Sequence, residues 1–280
     1  MRTPRHVVGG YREFEPPPAL RPFVESVWIH RSPHQLASGE GGMHRVLPDP
    51  ALNLAFSCLR GPDGIPTAPR MIIIGPKTRP HLFPFRPRHE FVAIRVKLEW
   101  AAPLLGLVPD DHCDAEHDLA GVLPALATAL LEPLADAADP DTALERLTVA
   151  AAQRAARIPA RSTAAARALD VVRQTSGRMT VDRIADGMGV ALRTLRRQVR
   201  RDAGVSLKAY ARVTRFVGAI TLADRSDRPA WAAIAADSGY CDQSHLVRES
   251  RAIAGLVPGQ VYRERRAQAE TSNPMPHSMP

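Results

Sequence analysis

Cysteine is scarce in this 280-residue sequence: Cys58, Cys113 and Cys241 are the only three, and they lie far apart. That spacing gives neither a CxxC zinc pattern nor an even disulfide set. A reduced, cytoplasmic setting is the expectation. Long apolar runs are missing too; none approaches the roughly 18 residues that a membrane span needs. The opening MRTPRHVVGGYREFEPPP has no apolar stretch of the secretory kind, so no such leader is expected. Aromatic residues make up 5%, and only Lys77, Lys97 and Lys208 among the 37 basic residues are lysines.

What is present supports a folded chain. Apolar residues reach 45% against 24% charged, which excludes wholesale disorder. At about 100–200 residues per domain, the length suggests two domains. The charge is unevenly placed. Residues 1–158 hold 17 Lys and Arg against 18 Asp and Glu, a net −1; residues 159–280 hold 20 against 11, a net +9. The whole basic excess sits in the C-terminal 122 residues, the electrostatic footprint of a polyanion binder. Prolines lean the other way, with 17 of 26 in residues 1–110. Strands and loops are therefore expected first and helices after.

Periodicity agrees. In FVAIRVKL (91–98), Val92, Ile94, Val96 and Leu98 point one way and Ala93, Arg95 and Lys97 the other, as in a half-buried strand. ALNLAFSCL (51–59) puts Leu52, Leu54, Phe56 and Cys58 on one face. MIIIG (71–75) and FVESVWIHR (23–31) are further strands, and Gly61-Pro62-Asp63-Gly64 is a hairpin-type turn. EWAAPLLGL (99–107) reads as a short helix or turn, and residues 120–136 and 140–157 as helices. The fold class expected is α+β. It has a β-rich small barrel or sandwich (1–110), a helical connector that is a candidate for dimerisation (111–158), an all-α domain with two helix-turn-helix units (159–270) and a disordered tail (271–280).

The basic half contains a repeat. Ile184-Ala185, Gly189, Leu195, Arg197 and Gly204 recur as Ile234-Ala235, Gly239, Leu246, Arg248 and Gly255. The offset is 50 residues as far as the first glycine and 51 afterwards, so the second turn holds one extra residue. Each copy reads helix, glycine turn, helix. In the first copy Leu192, Leu195 and Val199 fall on a core face, and Arg193, Arg196, Arg197 and Arg200 on the opposite stripe. Four guanidinium groups in line suit an anion opposite them, and the arginine fork fits guanine O6 and N7 in the major groove. A solvated basic face is the plainer reading of that stripe alone; the second copy and the domain charge weigh against it. The second copy offers Ser244, Val247, Arg248 and Arg251, with Gln243 at the helix start and Asp242 placed to cap it. SLKAYARVTRFVGAITLADR (206–225) joins the copies as one helix capped by Ser206. About 17 residues span roughly 25 Å, enough to hold two reading helices near one DNA turn apart.

These residues resemble the DNA-binding domain of AraC/XylS-type bacterial transcription regulators over 168–263. The motifs are TVDRIADGMGVALRTLRRQVRRDAGVSLKAYARVTR and AAIAADSGYCDQSHLVRES, ending in GLVPGQVYR. The resemblance implies a seven-helix domain whose two units enter adjacent major grooves. It places base contacts on Arg193, Arg196, Arg197, Gln243, Ser244 and Arg248. Arg200, Lys208, Arg212, Arg215 and Arg251 are assigned to phosphates. The family usually has Ser where this chain has Ala191, and aromatics where it has Val199 and Ser250. The front of the chain resembles, through YREFEPPPALRPFVESVW, VLPDPALNLAF and IIIGPKTRP, an N-terminal sensor or interaction domain of some such regulators. Asp49-Pro50 stands where that pattern often has Asp-Gly.

Other sites weigh less. DDHCDAEHD, with His112, Cys113, Asp114, Glu116 and His117, has metal-capable groups but no defined spacing, and an exposed acidic loop is the plainer reading. Trp28, Phe56, Phe91 and Trp100 suit a core better than a ligand cavity, and Cys58 faces inward as an inert thiol. No catalytic arrangement, P-loop or GxGxxG stands in a supporting context. No cofactor or metal is expected. The reading is a transcription regulator, not an enzyme, that binds double-stranded DNA. RNA polymerase, a small-molecule effector and a second copy are candidate partners, and a membrane is not one. The rivals are a metabolite-processing barrel with accessory DNA binding and a ligand-independent DNA-binding dimer.

Overall fold

The computed structural model describes residues 3–4, 6–8, 10–32, 43–61, 63–84, 86–159 and 163–272. Among them are nine strands: β1 (His6–Val8), β2 (Tyr11–Phe14), β3 (Val24–Arg31), β4 (Met43–Val46), β5 (Leu52–Arg60), β6 (Pro66–Ile74), β7 (His81–Pro84), β8 (His89–Val96) and β9 (Glu116–Asp118). Seven form one antiparallel sheet in the order β1-β2-β3-β8-β5-β6-β9, while β4 and β7 pair with each other as a separate ribbon. The β-rich domain expected from the sequence is present, but among the described residues no barrel closes. β1 and β9, three residues long, are the two edges of the sheet and do not pair with each other.

Strand alternation sets the core. Ile94 on β8 stands between Val27 on β3 and Leu54 on β5, and Val92 between Ile29 and Phe56. Those side chains are buried, together with Met71 and Ile73 of β6. Helices α3 (Pro124–Ala135) and α4 (Pro140–Ala155) lie over this face. α4 starts where Asp139 Oδ1 accepts from the Thr142 amide at 2.7 Å with Pro140 in the first turn. Its buried stripe is Ala143, Leu144, Leu147, Ala151 and Ala155.

The other face is covered as well, which the alternation in FVAIRVKL does not show. Ala93 is fully buried beside Trp28 and Ala55, and Phe83 of β7 packs its ring 5.7 Å from that of Phe91. Arg95 donates to Asp49 at 3.0 Å and to Glu13 at 3.2 Å, so its charge is neutralised where the sequence pattern suggests open solvent.

After β8 a 3-10 turn (Leu98–Trp100), α1 (Ala101–Leu105) and a second turn (Pro109–His112) lead to β9 and α2 (Leu119–Val122). The C-terminal part has seven helices: α5 (Ala164–Gln174), α6 (Val181–Gly187), α7 (Leu192–Ala203), α8 (Leu207–Ala223), α9 (Trp231–Asp237), α10 (Gln243–Ala254) and α11 (Pro258–Ser272). α11 runs through Ser272, into the expected tail; residues 273–280 lie outside the described residues. One continuous cluster runs from the sheet through α3 and α4 into Leu169, Ile184, Leu195, Val199 and Tyr210.

Candidate nucleic-acid interface

The two halves of the repeat fold alike, and their turns open with the same two backbone hydrogen bonds. The Val190 amide donates to the Ala185 carbonyl at 3.1 Å, and Tyr240 donates to Ala235 at 2.9 Å. Gly189 donates to Asp186 and Gly239 to Ala236, both at 3.0 Å. Both glycines have positive φ, 63° and 74°, which side-chain-bearing residues adopt at a cost. Ile184, Ala185 and Leu195 are buried in one unit, and Ile234, Ala235 and Leu246 in the other. Residues 188–191 link α6 to α7, while 238–242 link α9 to α10, so the one-residue insertion falls in the second turn.

The reading helices differ at their starts. Asp242 caps α10, its carboxylate accepting from the His245 amide at 2.6 Å. Ala191 gives α7 no side-chain cap. Ser206 caps α8, accepting from the Ala209 amide at 3.1 Å, and α8 has the 17 residues its sequence predicts. Ser250, where an aromatic is usual, is fully buried, and its hydroxyl donates to the Leu256 carbonyl at 2.6 Å, tying α10 to the turn before α11.

The residues assigned to bases lie on free faces. Arg193, Arg196 and Arg197 of α7 are exposed, as are Gln243, Ser244 and Arg248 of α10. Of the phosphate candidates, Lys208, Arg251 and Arg200 are exposed, the last with a protein partner: it donates to Asp110 at 3.0 Å. The others also have protein partners. Arg212 makes two 2.9 Å bonds to Glu249, which joins α8 to α10 and holds the Glu249 carboxyl below its ordinary range. Arg215 stacks 4.8 Å from the centre of the Tyr240 ring, and burial pushes that phenol up to about 12.

Sequence reasoning missed the residues that hold the domain in place. Arg173 donates to Glu99 and to the Tyr210 hydroxyl at 3.0 Å. Arg178 donates to the Asp237 carbonyl at 3.3 Å, a contact between the two units. These partners lie 37 to 74 residues apart, too far for any local pattern to link them.

Residues 184–265 match the family described as Helix-turn-helix domain, and residues 12–117 match Domain of unknown function (DUF6597). The chain carries an AraC-type helix-turn-helix domain. Solved structures similar to this chain include the C-terminal domain of AraT, a response regulator from Geobacillus stearothermophilus. It is 22% identical, with a TM-score of 0.37, covering 42% of this chain and 98% of that one. A DNA-binding transcriptional dual regulator from Escherichia coli K-12 is 22% identical at a TM-score of 0.33, covering 39% of this chain and 96% of that one. ToxT from Vibrio cholerae O395 is 11% identical at 0.43, covering 85% and 96%. No curated protein matches the chain significantly.

Tyr11, Glu13, Asp49, Asn53 and Arg95 meet on the second face of the sheet and bond to one another or to Trp28 and Ser26. Two cavities lie elsewhere. One is a crevice of about 10 Å³ between Pro50, Pro76, Lys77 and Thr78 and the helix α8; the other is an open groove of about 540 Å³ between α3 and α4. His112 and His117 approach to 5.1 Å between ring centres, but among the described residues no three metal-capable groups are placed to hold an ion. Cys58 is buried, and burial pushes its thiol up to about 11. No helix among the described residues is long and apolar enough to cross a membrane.

Proposed function

We propose that this DNA-binding transcription regulator reads a specific double-stranded site with two unequal helix-turn-helix units, under control of its N-terminal domain. The observation that carries the reading is the pair of matching turns, each presenting a reading helix with an exposed polar face. In the first unit Arg193, Arg196 and Arg197 read bases and Arg200 holds phosphate. In the second, Gln243, Ser244 and Arg248 read bases and Arg251 holds phosphate. Lys208, Arg212 and Arg215 supply further phosphate contacts along α8. Arg212 and Arg215 do so while keeping Glu249 and Tyr240 in place, which pre-organises them.

Control by the N-terminal domain rests on contact. Glu99, Asp110 and Arg45 bond to residues of the helical half, so a ligand or partner that moves the sheet domain acts on the reading helices. Duplex DNA and RNA polymerase are the macromolecular partners of this reading, with a second copy of the chain completing a longer site.

Selection of binding sites from randomised duplex DNA tests the reading. A defined consensus in two parts about one helical turn apart is the expected outcome, and recovery of unrelated sequences contradicts it. With about five or six phosphates neutralised, log K against log salt should fall with a slope near −5. A flat salt response also contradicts the reading.

A further inference from the structure

The N-terminal domain holds the two units in different ways. The first unit shares its core with the sheet domain, and Gly204, at the end of α7, seats on the Pro109–Asp110 backbone so closely that a Cβ would lie 2.3 Å from the Asp110 nitrogen. The second unit has cores of its own: Ala219, Ala223, Ile234 and Leu246 in one, and Phe216, Ile220, Ile253 and Val261 in the other. Among the described residues its contacts with the N-terminal domain lie at that domain's margins. Leu47, just beyond β4, packs against the Phe216–Ile253 cluster, and α11 lies beside the edge strand β1. Arg45 of β4 donates to Glu264 at 2.9 Å and to the Ala254 carbonyl at 3.4 Å. Among the described residues these are the side-chain hydrogen bonds that join the N-terminal domain to the second unit.

We infer that the β4–β7 ribbon is a latch that sets the position of the second helix-turn-helix unit relative to the first. Among the described residues the ribbon is hydrogen-bonded as a sheet to itself and not to the seven-stranded sheet, and it rests on the domain through Phe83. It can therefore shift without unpairing the seven-stranded sheet. α8 transmits the shift, because its first half lies in the shared core and its second half in the second unit's cores. The latch grips α10 from behind. Ile253 and Ala254 are buried on the side of Arg45 and Leu47, while Ser244, Arg248 and Arg251 stay exposed on another face of the helix and Gln243 is exposed at its start. The contact therefore orients the reading face and does not cover it. Anything that lifts or presses the ribbon changes how the second half of a DNA site is read and leaves the first half alone. The DNA half of this inference rests on the function proposed above.

Hydrogen exchange on the full chain tests the latch without DNA. Arg45→Glu should speed exchange in α9, α10 and α11 at least about fivefold and leave α6 and α7 unchanged. Glu264→Arg in the same chain should restore the protection, because the ion pair is rebuilt with its signs exchanged. Leu47→Ala, which alters no charge, should give the same regional pattern. On a selected duplex, Arg45→Glu should weaken binding about fivefold, within the usual range of coupling between sites, and bind a duplex keeping only the first half as the parent does. Unchanged exchange in α9–α11, equal acceleration in both units, or no rescue by the reversed pair would overturn the latch. Failure to bind any duplex would overturn the DNA reading alone, and exchange would still decide the latch.

Discussion

The guanidinium of Arg173 in the last turn of α5 meets the carboxylate of Glu99, which follows β8 at the end of the sheet. The Glu99 side chain is 1% exposed and that of Arg173 12%, so this pair crosses the boundary between the two halves out of water. A buried pair is costly to break from one side, because the remaining charge is stranded.

Arg173→Met should therefore cost about 3–5 kcal/mol in urea unfolding of the full chain. Adding Glu99→Leu should recover most of it, since the buried carboxylate that Arg173 faces is then gone. A loss below about 1 kcal/mol for Arg173→Met would show the pair to be dispensable.

The missing cap on α7 offers a gain. Ala191 has the extended backbone of a cap residue but no acceptor side chain. Ala191→Ser should stabilise the chain by about 1 kcal/mol and slow exchange in the first turn of α7. No change in either would mean that water caps this helix adequately.

Arg197 and Arg248 are exposed at equivalent positions of α7 and α10 and make a matched test of the two reading faces. A bidentate arginine–guanine contact discriminates by about 1–3 kcal/mol, while a phosphate contact adds affinity without preference. Arg197→Ala should relax base preference in one part of the selected site and Arg248→Ala in the other. The larger loss is expected for Arg197, whose face has more arginines. Equal weakening on specific and unrelated duplexes would assign both to phosphates.

His89 gives the sheet domain a pH dependence. Its Nε2 lies 2.8 Å from the Ser57 hydroxyl, and burial, aided by the charges of Arg86 and Arg70, lowers its pKa to about 4. The unfolded chain, with a value near 6.5, binds a proton that the folded chain refuses. Stability should fall as pH drops from about 6.5 to 4, by up to about 3 kcal/mol from this group, and then level off. His89→Gln should remove that component. Glu249 and Asp139, whose pKa values are lowered by hydrogen bonds, lose stabilising contacts in acid in both proteins, so the difference isolates His89. Parallel melting curves across this range for both proteins would exclude the effect.

Local chemistry wrote much of this protein into its sequence. The repeat around Ile184 and Ile234, the turn glycines, the caps at Ser206 and Asp242 and the strand alternation at Val92, Ile94 and Val96 depend on residues within a turn or two of each other. Helix and strand periods and capping hydrogen bonds act over that range, so pattern alone finds them. The exposed arginine stripe of α7 was legible for the same reason. Tertiary packing decided the rest. Whether the sheet closes depends on how its edges meet, and β1 and β9 stay apart. Ala93 and Arg95 are covered by elements distant in sequence, and Arg212 finds Glu249 only because α8 lies against α10. The first unit is fused to the sheet domain, and the second is held by Arg45 across 219 residues. Pairings at such separation depend on where each element finally packs, and no local propensity records that.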